Sequence, residues 1–315
     1  STLFPYTTLF RSVKFARGPL RALHVAGPAN HRTYLERLPE GRQVLGGGEL
    51  LHPGEVRLAP GESYEGPALH FVHGDGLDEA AHRVHTWVRS LPSAPGPERP
   101  VTLNVWEAVH FDHSLPTLLA LADEAARIGV ERYVLDDGWF GDRRDDTAGL
   151  GDWVVSDEAW PQGLHPLTDH VTALGMQFGL WFEPEMINPD SETARRHPEW
   201  VLSTREDLPL AWRHQQVIDL TNPEAWEHVR SQMDALLTEY PISYIKWDHN
   251  RDVFDAGSSR EAGRAVAGRQ MRAALALMDR LRADHPGLEI ESCSSGGARI
   301  DRKSTRLNSS HVKLS

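Results

Sequence analysis

The chain predicts an α/β fold: a partial (β/α)8 TIM barrel of about five strands, preceded by the end of an N-terminal β-sandwich domain. Three observations predict it. Strand-like and helix-like segments alternate over residues 101–301, which implies a parallel sheet. Each strand-like run stops at polar or aromatic residues, as in barrels whose strand ends converge on one mouth. No Gly-rich phosphate loop of the GxGxxG or GxxxxGK[ST] type follows a strand, so a doubly wound nucleotide fold is disfavoured.

Residues 13–76 carry short apolar runs separated by Gly and Pro. Leu20–Val25, Glu55–Leu58 and Ala68–Val72 read as strands of a β-sandwich, the C-terminal part of such a domain. Gly46-Gly47-Gly48, Pro53-Gly54 and Pro60-Gly61 read as turns. Within 77–100 a helix is expected over Leu77–Ser90, with Ala80, Ala81, Val84, Trp87 and Val88 near helical spacing. Pro92, Pro95, Pro97 and Pro100 then make a linker, because neither a helix nor a central strand tolerates that density of proline.

In the barrel segment the expected strands are Val101–Val105, Tyr133–Leu135, Gln177–Phe182, a run ending at Lys246-Trp247-Asp248-His249-Asn250, and Leu288–Ser292. Helices are expected over Leu115–Ile128, Leu164–Leu174, Pro223–Glu239 and Ser259–Ala283, with an accessory strand over Val217–Leu220. In an extended chain alternate side chains share a face. One face of the fourth strand end therefore collects Lys246, Asp248 and Asn250, a trio costly to bury without partners. A salt-bridged strand end is the simpler alternative.

The 315 residues carry a formal charge of −12, which disfavours nucleic acid and anionic membrane surfaces as partners. Cys293 is the single cysteine, so no internal disulfide can form. No apolar run spans a bilayer, no signal peptide is visible, and the expected compartment is the cytoplasm. The ends, STLFPYTTLFRS over 1–12 and RKSTRLNSSHVKLS over 302–315, contain no acidic residue and differ in composition from the interior. Both resemble translated sequencing-adapter read-through and are expected to be non-native tails of a truncated protein.

The strand ends would gather Trp106, Asp136, Asp137, Trp181, Glu183 or Glu185, Lys246, Asp248, Asn250 and Cys293. Carboxylates beside stacking aromatics suit carbohydrate chemistry, in which a pair of carboxyl groups flanks the scissile bond. A barrel metalloenzyme is the rival. The histidines do not support it: no HExxH occurs, and His110, His113, His214 and His249 share no ligand spacing. His110 and His113 read as loop residues, and Asp145-Asp146 as a solvated turn. Glu183-Pro184-Glu185 offers an acid/base or a structural ion pair. Cys293 has no neighbouring base to make it a nucleophile.

Five motifs occur in order: Asn104-Val105-Trp106-Glu107-Ala108, Leu135-Asp136-Asp137-Gly138-Trp139-Phe140, Leu180-Trp181-Phe182-Glu183-Pro184-Glu185-Met186, Lys246-Trp247-Asp248-His249-Asn250, and Ser292-Cys293-Ser294-Ser295-Gly296-Gly297-Ala298-Arg299. Together they closely resemble bacterial α-galactosidases of glycoside hydrolase family 36 over roughly residues 13–301. The resemblance implies a sandwich domain, a catalytic barrel and a C-terminal β domain, with retention of anomeric configuration and no metal or organic cofactor. Its substrates are terminal α-D-galactosides of the melibiose and raffinose type, and its members are commonly homo-oligomers. By motif, Asp248 is the nucleophile, and Asp136 and Asp137 accept hydrogen bonds from the galactose hydroxyls at C4 and C6. Trp106 and Trp181 wall the sugar. Lys246, Arg213 and Asn250 bind ring hydroxyls, and Cys293 and Gly296 lie close to the sugar.

The sequence departs from the family where the acid/base aspartate belongs. That residue follows the Arg299-Ile300-Asp301 stretch, but here the tail begins and nothing in it is acidic; Asp301 comes too early. The chain is therefore expected to lack one catalytic carboxylate, to be inactive and poorly folded, and to leave an unpaired sheet edge at Leu288–Ser292; if the site forms, a leaving group such as dinitrophenol, which needs little protonation, bypasses the missing acid. The alternatives are galactosyl transfer of the raffinose synthase type and a non-catalytic sugar-binding remnant.

Overall fold

The computed structural model describes residues 17–27, 29–91, 98–205 and 212–293. The terminal segments, the middle of the Pro-rich stretch, and Gly296 with its neighbours up to Asp301 lie outside them. Residues up to 91 belong to one compact unit, and 98–293 to a second.

In the first unit, β1 (Pro19–Val25), β2 (His31–Arg37), β3 (Gln43–Glu49), β4 (Leu69–Asp75) and α1 (Leu77–Arg89) follow in order. β1 pairs antiparallel with β4, and β2 with β3. Leu20, Ala22 and Ala80 form a small buried cluster with Val72 and Leu77 against it, so α1 packs on the β1–β4 pair. Two expectations fail here. Gly46–Gly48 lie inside β3, not in a turn. A Cβ on Gly46 would sit 2.4 Å from the Tyr34 ring, so absence of a side chain lets Tyr34 lie across the ladder. Glu55–Leu58 is not a strand. The Glu55 carboxylate accepts from the backbone N–H of His52 (2.9 Å), whose carbonyl accepts from the Glu55 N–H, and this local turn removes the groups a ladder needs.

The second unit holds β5 (Thr102–Asn104), α2 (Trp106–Val109), α3 (Leu115–Arg127), β6 (Arg132–Leu135), α4 (His165–Ala173), β7 (Gln177–Phe182), β8 (Met186–Ile187), α5 (Glu192–Arg196), β9 (Gln216–Val217), α6 (Pro223–Glu239), β10 (Ile242–Trp247), β11 (Gly257–Ser258), β12 (Arg264–Ala265), α7 (Ala267–Asp284) and β13 (Glu289–Ser292). β5, β6, β7, β10 and β13 form one parallel sheet in that spatial order. This is the five-stranded partial barrel. In the described residues its edges are β5 and β13.

Local sequence explains the helices. Pro116 and Pro166 open α3 and α4 within the first turn, where a missing N–H costs nothing. The Asn222 side chain caps α6 by accepting from the Glu224 N–H (3.1 Å), with Pro223 at the first position. α6 then buries Ala225, Val229, Met233 and Leu236 at helical spacing. α7 begins eight residues later than its periodicity suggested. Ala262 has φ 53°, and residues 257–265 form the small β11–β12 hairpin instead. The Ser258 hydroxyl donates to Asp219 (2.5 Å) and anchors that hairpin.

The two faces of the sheet differ. Tyr133, Leu135, Phe178, Leu180, Ile245 and Ile290 point into one buried cluster shared with the helices. The other face is polar at its N-terminal end. Buried Arg132 on β6 donates to Gln177 on β7 and to Glu289 on β13, both at 2.9 Å. Its guanidinium lies 4.2 Å from the Tyr244 ring centroid on β10, and the Tyr244 hydroxyl donates to Glu291. This network ties four strands together. Tyr244 fills space left by Gly179: a Cβ there would meet Tyr244 at 2.9 Å and Val134 at 3.0 Å.

Gly179→Ala is therefore expected to overpack this layer and destabilise the chain by about 1–3 kcal/mol. Urea unfolding of both proteins measures it, and an unchanged midpoint would show that Tyr244 moves aside freely.

Candidate active site

Strand ends deliver the site. A pocket of about 260 Å³ opens at the C-terminal ends of the parallel strands, and Asp136, Asp137, Trp181, Lys246, Asp248 and Asn250 line it. The alternation read for β10 holds: Lys246 and Asp248 face the pocket with Asn250, and Trp247 between them is fully buried in the core. Trp106, half-buried at the start of α2, and Arg213 also line it. Cys293 is buried, its N–H donates to the Trp247 carbonyl (2.7 Å), and its side chain hydrogen-bonds the Asp248 carboxylate.

Each acidic group has a different environment. One Asp136 oxygen accepts from the Lys246 ammonium (2.7 Å) and from the Asn104 amide, and the other from the Asp137 N–H (2.9 Å). Asp137 is held by Arg143 in a two-point pair, Nε to Oδ1 at 3.0 Å and Nη2 to Oδ2 at 2.8 Å. Burial pushes Asp137 up to about 6 in spite of Arg143. For Asp248, burial also acts upward. A hydrogen bond from Asn250, the Lys246 charge, the His249 N–H and the Cys293 contact outweigh it, so the carboxyl stays below its usual range and ionised. Burial works against the Lys246 ammonium, but Asp136 and then Asp248 raise its pKa.

Glu183 takes the opposite course. It is 1% exposed, and burial together with the Asp248 charge pushes it up to about 8. Its Oε1 accepts from Gln215 Nε2 (2.9 Å) and from the Asn250 N–H. Glu185 does not line the pocket. It accepts from the Trp247 indole (2.9 Å) and lies 3.6 Å from His249, which is the structural role weighed for that motif.

Aromatic packing fixes the wall. Trp181 stacks on Phe140 with centroids 6.1 Å apart and planes 9° from parallel, and its indole donates to Asp248 (3.3 Å). Trp139 and Trp153 support this wall from the core and are at most 1% exposed. The turn carrying Arg213 is unusual. Arg213 and His214 have φ of 53° and 58°, and the Gln215 N–H donates to the Trp212 carbonyl (3.2 Å). Two non-glycine residues at positive φ cost roughly 1–3 kcal/mol each. The Arg251 guanidinium grips the Gln215 carbonyl and the Gln216 side chain (2.6 Å).

Sequence reasoning missed Arg143, Gln215 and Phe111, all of which line the pocket. It also read Asp145-Asp146 together as one solvated turn, which holds for only one of the two. Asp145 is an exposed turn residue bonded to Thr147, but Asp146 lines the pocket. His113, read as a loop residue, is buried beside Trp160 and its pKa is pushed down to about 4, chiefly by burial. Only the spacing of a charged partner six residues after Asp137 hinted at Arg143, and that spacing has no general meaning in a loop. Among the described residues no group of three or more His, Cys, Asp or Glu is placed to hold a metal, and no helix is long and apolar enough to cross a membrane.

Comparison with known proteins adds the family. The melibiase family model matches residues 63–306. The chain belongs to the melibiase family. An α-galactosidase of Escherichia coli is 42% identical over 288 residues, covering 90% of this chain and 40% of that protein. The α-galactosidase AgaA of Geobacillus stearothermophilus is 38% identical over 251 residues, 78% of this chain and 34% of that protein. The crystal structure of AgaA, a GH36 α-galactosidase, superposes with a TM-score of 0.87 at 34% identity, over 93% of this chain and 42% of that one. A variant of AgaA is known in complex with raffinose, and it superposes at 0.86 with 33% identity. This melibiase-family chain thus matches 34% to 42% of the length of those relatives.

The Glu183 environment gives a pH signature. A carboxyl raised to about 8 in the fold, against an ordinary value near 4.5 when unfolded, binds its proton more tightly in the native state. Its contribution to stability is full below pH 4.5 and is lost as pH rises towards 8. Glu183→Gln keeps the accepting oxygen without the titration, so the fall in melting temperature between pH 5 and 8 is expected to flatten. Equal slopes in thermal melts of both proteins would mean that Glu183 is ionised throughout.

Proposed function

We propose that this pocket binds the terminal galactose of α-D-galactosides and that Asp248 is the nucleophile of a retaining hydrolysis. The observation that carries the reading is a buried, ionised Asp248 carboxylate fixed beside Lys246 and the Trp181 indole, in a pocket that also presents two further buried aspartates. The family and the names of its relatives support the substrate class, and the AgaA complex supports raffinose-type oligosaccharides.

In this reading Asp248 attacks the anomeric carbon and forms a glycosyl ester as the bond to the leaving oxygen breaks. A general acid must protonate that oxygen. Water then attacks the ester, the same group takes its proton, and galactose leaves with its configuration retained. Asp136 and Asp137 accept from the C4 and C6 hydroxyls. An axial C4 hydroxyl meets them where an equatorial one does not, which favours galactose over glucose. Trp181 and Trp106 cover the apolar ring face. Lys246, Arg213 and Asn250 supply donors around the ring, and Cys293 closes the side next to the nucleophile. The acid/base is assigned to none of the described residues. Glu183 is protonated at neutral pH, but its Oε1 is already held by Asn250 and Gln215.

A fluorinated galactoside with a dinitrophenol leaving group tests the nucleophile, since that group leaves with little protonation. Mass spectrometry is expected to find the adduct on Asp248 and none in Asp248→Asn. A label on Glu183 would overturn the assignment. Asp136→Ala is expected to lower activity on galactosides by at least about two orders of magnitude, because buried hydroxyls lose a charged partner. Residues 1–315 are expected to turn over dinitrophenyl galactoside but to hydrolyse melibiose about 10²–10⁴-fold less well than a protein with its general acid. Full melibiose activity would place the acid inside this sequence.

A further inference from the structure

Asn188 follows β8, is fully buried, and is absent from the pocket lining. A side-chain amide has two donor hydrogens and two acceptor directions, and all four are used here. Oδ1 accepts from the Leu150 N–H (2.8 Å) and from Arg143 Nη1 (3.2 Å). Nδ2 donates to the His214 carbonyl (2.8 Å) and to the Asp146 carbonyl (3.4 Å). Its own backbone is fixed as well: its N–H donates to the Leu150 carbonyl (3.0 Å), and its carbonyl accepts from the Ser191 hydroxyl (2.9 Å).

These partners belong to separate loops. Arg143, Asp146 and Leu150 lie in the loop after β6, and His214 in the turn before β9. Those two segments supply Arg143, Asp146 and Arg213 to the pocket. The loop therefore carries both the guanidinium that orients Asp137 and a pocket carboxylate, and the turn carries a pocket cation at positive φ. No other contact described above reaches both segments and Arg143 through one side chain.

We propose that Asn188 is a positioning residue for the galactose pocket, whose amide holds the Arg143–Asp137 pair and the Arg213 turn in one shared geometry. The role rests on the galactose reading given above. It acts through Arg143, which Asn188 and the Ala148 carbonyl (3.0 Å) together keep from rotating away from Asp137. The charged groups that face Asp137 are Arg143, Asp136 and Asp248. Of these only Arg143 lowers its pKa, so a loosened Arg143 must show in the Asp137 titration.

The experiment compares residues 1–315 with Asn188→Ala and Asn188→Asp. Galactose affinity is measured by calorimetry, and the Asp137 midpoint by carbon-detected NMR titration with labelled aspartate. In Asn188→Ala the galactose affinity is expected to fall at least about tenfold, as when a binding group is misplaced by a fraction of an ångström, and the Asp137 midpoint to rise above about 6. Asn188→Asp keeps the acceptors for Arg143 and Leu150 but loses both donors. It is expected to weaken galactose through the Arg213 turn even though Arg143 keeps an acceptor. A staple with only a structural role would lower the melting temperature of both variants and leave the affinity and the midpoint at their wild-type values, which overturns the proposal. If the alanine variant does not fold, unaltered galactose affinity in the aspartate variant overturns it equally. Failure of the wild type to bind galactose would sink the substrate reading instead, and the Asp137 midpoint would still decide the clamp.

Discussion

Four buried carboxyl groups share one small pocket, and their mutual repulsion is the constraint around which the site is arranged. Asp136, Asp137, Glu183 and Asp248 all line it and all are nearly inaccessible to water. Like charges that close cannot all be ionised without compensation. Each group is relieved in its own way. Lys246 reaches across from β10 to Asp136, and Arg143 takes Asp137 in a two-point pair. Asp248 keeps its charge through neutral donors and the nearby ammonium. Glu183 accepts from the neutral Gln215 amide and Asn250 N–H and retains its proton to about pH 8.

That division separates an ionised carboxylate from a neutral one within a single site, which is how neighbouring acids take different roles at one pH. It also explains why so much of the surrounding structure is polar and hydrogen-bonded. Asn104, Asn188, Gln215 and Arg251 each hold an acidic or basic side chain or a strained turn in place. Removing one partner of such a set leaves a buried group unsatisfied, which costs more than the bond itself contributes. At the other end of the same strands, Arg132 plays the corresponding part by joining β6, β7, β10 and β13.

The local signals were strong where one strand or helix acts by itself. Gln177–Phe182 and Pro223–Glu239 are found with the bounds that their patterns suggest. Periodicity failed where side-chain or backbone contacts from elsewhere intervene. Gly46–Gly48 enter a strand because Tyr34 needs the space, and the start of α7 is displaced by a hairpin tied to Asp219. The seven site residues Trp106, Asp136, Asp137, Trp181, Lys246, Asp248 and Asn250 were all legible as strand-end motifs, because a parallel strand delivers whatever follows its last residue to one mouth.

The amino-acid sequence by itself determined the α/β class, the order of the parallel strands' motifs and the identity of the residues at their ends, since these depend on spacing along one segment. Only the tertiary structure decided the rest: that Arg143 and not Arg144 pairs with Asp137, that Asp146 reaches the pocket and Asp145 does not, and that Glu183 holds a proton while Asp248 does not. Those outcomes depend on burial and on charges contributed by distant strands and loops. Loop residues have no repeating geometry from which a partner can be read, and a carboxyl's proton affinity is set by its surroundings in space.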